Sequence, residues 1–178
     1  MTYRQTLREL AFENHGIVTL AEAEAAGVPA VEVRKLALRG ALTRLGQGVY
    51  RMEEAPSDRL EEFAAAVALV GDDAVLADDA VLAALGLAQI DLRRIRVATS
   101  GRVRRQIPST VEVITRLVPV ADRDDVEGIP SMSLASALLA SRNRVMTFRL
   151  VEAARQAAAR GLLDPGETAR VLQELEKS

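Results

Sequence analysis

Glycines at positions 16, 27, 40, 46 and 48 cut the first fifty residues into pieces too short for anything but brief elements. Each piece carries its own punctuation. Tyr3, Leu7, Leu10 and Ala11 recur at intervals of three and four, the spacing of one helix face, so residues 3–13 are expected to be helical. Asn14-His15-Gly16 ends that helix, because glycine adopts the left-handed conformation without steric cost. Thr19-Leu-Ala-Glu22 is a capping box that opens a second, short helix ending at Ala26-Gly27. Pro29 suits the first turn of a third helix, whose buried face is Val33, Leu36 and Ala37 and whose end is Gly40. Leu42 to Met52 then reads as two short strands about Gly46-Gln47-Gly48. Three helices, a tight Val28-Pro29 turn and a hairpin make a winged helix-turn-helix over residues 1–52.

That architecture makes particular side chains candidates for DNA contact. Arg34, Lys35 and Arg39 fall on the third helix away from its apolar face, where a major groove would lie. Arg44, Gln47 and Arg51 belong to the hairpin, and Thr19 opens the second helix. Residues 1–52 carry seven basic and five acidic side chains, while the remaining 126 carry sixteen and twenty. The alternative is an ordinary solvated helix face on a protein-docking module, and Glu32 on the same helix favours it.

Composition narrows the chemistry further. The 178 residues contain no cysteine and one histidine, His15, which excludes disulfides, thiolate catalysis and the usual zinc sites. His15 itself reads as a surface or cap residue. Three phenylalanines and two tyrosines are too few for a base-stacking platform. No Walker loop or serine elbow is present, and the only lysines, Lys35 and Lys177, lie on no expected strand, so a nuclease is poorly supplied. We expect no enzyme activity, no metal site and no cofactor. No apolar run approaches a membrane span and the first residues open no secretory signal, so the expected location is the cytoplasm.

Gly16-Ile17-Val18-Thr19, Ala26-Gly27-Val28, Leu36, Gly40-Ala41-Leu42, Leu45 and Gly48-Val49-Tyr50 together resemble the N-terminal domain of AbiEi-type antitoxins. These are the antitoxin halves of type IV toxin–antitoxin and abortive-infection systems of bacteria. The resemblance implies a winged helix that binds inverted repeats in its own promoter and a nucleotidyltransferase-like toxin as cognate partner. Ala30-Val31 departs from relatives that often carry small hydroxyl or basic residues there.

After a polar connector at Glu53-Glu54-Ala55-Pro56, residues 57–178 are expected to form a small α+β domain, making the whole chain α+β and helix-rich. Ser57 is the expected cap of a helix carrying Leu60, Phe63, Ala64, Val67 and Val70 on one face. A tandem hexamer follows, Asp72-Asp-Ala-Val-Leu-Ala77 repeated as Asp78-Asp-Ala-Val-Leu-Ala83. We read the first copy as an extended connector and the second as a helix ending at Gly86, capped by Asp78 or Asp79. A divalent metal on these aspartates is the less economical reading, because adjacent helix residues do not face one another. Strands are expected at 94–99 and 111–117, a turn or edge at Gly128-Ile-Pro130, and helices at 133–141, 147–160 and 165–176. The order of Ala77–Leu87, the strand pair and Leu134–Leu138 loosely resembles the C-terminal domain of the same family.

Arg93, Arg94, Arg96, Arg102, Arg104 and Arg105 stand in a stretch without an acid between Asp91 and Glu112. They form a candidate second basic patch for DNA, RNA or an acidic partner surface. The alternative is a charged loop ion-paired to Asp122, Asp124 and Asp125.

Overall fold

A computed structural model of the chain describes residues 1–177. The polypeptide divides into two compact units, one made of Met1–Asp72 with Val103–Pro108 and the other of Asp73–Arg102 with Ser109–Ser178. The architecture is α+β, with eight α-helices and two sheets among the described residues.

In the first unit, α1 (Tyr3–Glu13), α2 (Leu20–Ala25) and α3 (Ala30–Leu38) follow the expected bounds closely. Thr19 caps α2 in both directions: its hydroxyl accepts from Glu22 N at 3.1 Å, and Glu22 Oε2 accepts from Thr19 N at 2.9 Å. Gly16 sits at φ +87°, the turn geometry that requires glycine. Strand β1 (Ile17–Thr19) is an element the sequence concealed, because three residues are too few to show a period. It pairs antiparallel with β3 (Val49–Met52), which pairs with β2 (Leu42–Gly46), giving the order β1-β3-β2. Leu7, Ala11, Val18, Ala23, Val28, Val33, Leu42, Tyr50 and Met52 form the core between these helices and the sheet.

Helix α4 (Glu61–Val70), expected at the head of the second domain, instead packs on β1, β2 and β3. The first unit therefore runs to Asp72 and does not stop near residue 52. Gly46 shows how close this packing is: a Cβ there would lie 2.4 Å from Leu69 Cδ2. Ser57 does not cap α4. Its hydroxyl accepts from Arg51, while Asp58 Oδ1 accepts from Leu60 N at 2.8 Å.

The second unit holds a five-stranded mixed sheet in the order β6-β5-β4-β8-β7. Its strands are β4 (Val75–Leu76), β5 (Ile95–Thr99), β6 (Val111–Thr115), β7 (Arg123–Val126) and β8 (Ile129–Met132). The first hexamer thus supplies the central strand, and the second supplies α5 (Asp79–Ala84). Gly128 lies in the turn of a β7–β8 hairpin that the sequence reading reduced to an edge. Helices α6 (Leu134–Ala140), α7 (Thr147–Ala159) and α8 (Pro165–Glu176) match expectation. Leu82, Leu87, Leu138, Leu150, Ala154, Val171 and Leu175 pack them into one core with α5. No described helix is long and apolar enough to cross a membrane.

Candidate nucleic-acid interface

Val33 is buried and Leu36 and Ala37 are half-buried on α3, which turns the opposite side of that helix outward. Arg34, Lys35 and Arg39 are all exposed there. Lys35 Nζ donates to Glu32 Oε1 at 2.8 Å, an exposed pair worth little to stability, whereas Arg34 and Arg39 make no ion pair with any described residue. Arg34 faces an open groove of about 1140 Å³. Thr19, Leu38, Arg44, Gln47, Asp72 and Arg105 also line it. Four residues expected from the sequence, Thr19, Arg34, Arg44 and Gln47, are therefore brought together by the fold. Arg39 faces a separate depression beside Arg4, Glu53 and Glu54, and Lys35 lines neither.

Arg51 does other work. Its Nε donates to Glu61 Oε1 at 2.6 Å, and its Nη atoms donate to the carbonyls of Met52 and Ala55. Only 16% of the side chain remains exposed, and the Glu61 hydrogen bond raises its pKa further. The wing thus offers Arg44 and Gln47 outward, while Arg51 ties the sheet to the start of α4.

The arginines of the second basic stretch have different surroundings. Arg94 donates to the carbonyls of Ser109 at 2.9 Å and Val111 at 2.8 Å, stitching β5 to β6. Arg96 lies 3.4 Å from Asp78 Oδ2 and is mostly buried. Arg102, Arg104 and Arg105 are exposed, and the segment holding Arg104 and Arg105 belongs to the first unit. Arg105 joins the groove with Arg34 and Arg44, although it lies 71 and 61 residues beyond them in sequence. No periodicity could have signalled that meeting, since it depends on where an irregular loop returns.

Among the described residues Asp122, Asp124 and Asp125 form no ion pair with these arginines. Asp122 accepts from the Ser136 hydroxyl at 3.0 Å, and Asp125 Oδ1 accepts from Gly128 N at 2.8 Å. Both acids of the second hexamer, by contrast, do meet arginines. Asp78 is 1% exposed, accepts from Arg116 Nη1 at 2.6 Å and makes no cap hydrogen bond. Asp79 accepts from Arg144 Nε at 3.2 Å, and its Oδ1 has no partner. Helix capping is therefore the wrong account of these aspartates; they are buried counter-ions for the partly exposed Arg96, Arg116 and Arg144. No group of described residues has the ligands for a metal ion.

His15 Nδ1 lies 2.8 Å from Asp58 Oδ2 and its side chain is nearly buried, so it fastens the turn after α1 and is not a mere surface residue. Burial pushes the Asp58 carboxyl up, but the hydrogen bonds from His15 and Leu60 N outweigh it and hold it below its usual range. The Asp73 carboxyl is lowered to about 2 by the hydroxyls of Ser100 and Thr99 and by Ser100 N.

The first unit thus combines a winged sheet, an outward cationic face on α3 and a basic groove beside it. Residues 5–52 match the family of AbiEi antitoxin transcriptional regulators. The match spans just over a quarter of the chain and coincides with the AbiEi-like winged helix. Among solved structures, the RV2827C protein from Mycobacterium tuberculosis is similar at 18% identity and a TM-score of 0.45, covering 98% of this chain and 82% of that one. No curated protein matches.

Proposed function

We propose that the protein is a DNA-binding antitoxin that represses its own promoter. In this reading α3 enters the major groove, with Arg34 and Lys35 at base edges or phosphates and Arg39 on the flanking backbone. Arg44 and Gln47 of the wing contact phosphates, Thr19 approaches the backbone at the start of α2, and Arg105 adds a cation from the returning loop. Two copies on inverted repeats would read one half-site each. The observation that carries the proposal is the groove lined jointly by Arg34, Arg44, Gln47 and Arg105. The AbiEi match over residues 5–52 supports it independently. A protein that reads chromosomal DNA works in the cytoplasm.

Residues beyond the winged helix would supply the antitoxin activity against a nucleotidyltransferase-like toxin encoded alongside. Nothing in the reading requires a cofactor or a catalytic residue.

The test is fluorescence anisotropy with the duplex immediately upstream of the coding sequence against a scrambled duplex of equal composition. Wild-type protein is expected to prefer the upstream duplex by at least tenfold, and Arg34→Ala/Lys35→Ala to lose that preference while retaining its circular dichroism. Equal binding of both duplexes by wild-type protein would overturn autoregulation. Co-expression with the adjacent nucleotidyltransferase is expected to restore growth that the toxin alone arrests.

A further inference from the structure

Helix α3 carries two apolar side chains that the core does not use. Leu38 is 88% exposed and Val31 is 52% exposed. Both lie on the helix face opposite Val33, at the spacing i, i+3, i+4, i+7 shared with Arg34 and Lys35. A leucine or valine left in water is unremarkable when it stands alone on a surface. Here the two flank the cations of one stripe, and Leu38 lines the groove with Arg34 and Arg44.

Resting on the DNA-binding reading above, we propose that Val31 and Leu38 are specificity residues that each contact the C5 methyl group of a thymine. Charge complementarity names the occupant of this face: the cations of the groove select a polyanion. Within a duplex major groove the thymine methyl is the apolar group that distinguishes an A·T pair, and it is absent from the minor groove. Seven helical residues span about 10.5 Å along the axis at the usual rise of 1.5 Å each. That length corresponds to about three base-pair steps of roughly 3.4 Å. The two thymines therefore stand about three steps apart in each half-site, with the pair addressed by Arg34 between them. A guanine is the base that Arg34 would hold bidentately.

Selection of full-length protein on random-sequence duplexes supplies the probe. Each thymine of the enriched duplex is then replaced by deoxyuridine, which removes only the methyl group, and affinity is measured for wild type, Val31→Ala and Leu38→Ala. Two replacements about three steps apart are expected to weaken wild-type binding by about three- to fivefold each, the effect of one buried methyl. Leu38→Ala becomes indifferent to one of them and Val31→Ala to the other. Both variants alter exposed side chains, and unchanged melting curves establish that they are folded. Sequence-specific binding that tolerates every deoxyuridine overturns this inference and leaves the DNA-binding reading standing. Failure to enrich any sequence, with no duplex bound, overturns that reading and this inference with it.

Discussion

Arg34 and Arg51 lie seventeen residues apart in one small unit, and the fold gives their guanidinium groups different surroundings. Arg34 projects from α3 into solvent, while Arg51 is fastened to Glu61, Ser57 and two backbone carbonyls. Sequence position alone put both at the DNA. What separates them is α4, whose Glu61 arrives beside β3 through a connector with no regular pattern. Arg51→Met is therefore expected to lower unfolding free energy by about 1–3 kcal/mol in urea titrations, since it leaves a largely buried carboxylate without its charged donor. Any loss of DNA affinity in that variant should vanish at temperatures where it is fully folded. A fully folded Arg51→Met that has lost affinity would return Arg51 to the interface.

The two hexamers make the corresponding point for whole elements. Asp-Asp-Ala-Val-Leu-Ala becomes a central strand in its first copy and a helix in its second. Local propensity is identical, so tertiary partners decide. Asp73 of the first copy accepts from Thr99 and Ser100 and holds β4 against the end of β5. In the second, Asp78 takes φ 54° and ψ −127°, and Ala80 N donates to Ala77 O at 3.1 Å, closing a turn that swings the chain from strand into helix. The carboxylate of Asp78 is then delivered to Arg96 and Arg116. Asp78→Ala is expected to cost about 1–3 kcal/mol, because it removes the carboxylate that Arg96 and Arg116 share. Asp72→Ala, at an exposed position of the other copy, should stay within about 0.5 kcal/mol. Comparable losses in the two variants would refute the ion-pair account. Elements with strong local punctuation were legible in the sequence: the capping box at Thr19 and the apolar spacing of α1. Strand β1, the β7–β8 hairpin and the placement of α4 were not, because each depends on pairing between distant segments.

At the scale of the molecule, each of the two units has its own core and its own acid-sensitive carboxylate. Asp58 in the first and Asp73 in the second are both held below their ordinary range. A carboxyl depressed in the folded state stabilises fully above its unfolded pKa, about 4 for aspartate, and ceases to do so as pH falls through the folded value. Stability should therefore decline between about pH 4 and the folded Asp73 value of about 2. Asp73→Asn should flatten that decline in pH-dependent denaturation, and an unchanged profile would dismiss the hydroxyl cradle as its cause.

Charge is distributed to the same functional end. The winged segment is net positive although the chain as a whole carries −2, so in the proposed reading its attraction for a duplex is local and belongs to the groove lined by Arg34, Arg44 and Arg105. Each phosphate neutralised contributes about −0.9 to the slope of log affinity against log salt. The most direct test is that slope for wild type and for Arg44→Ala/Arg105→Ala on the same upstream duplex. The account predicts a slope shallower by about 1.8 in the double variant, with its melting temperature unchanged. Parallel lines for the two folded proteins would mean that DNA binds elsewhere or not at all.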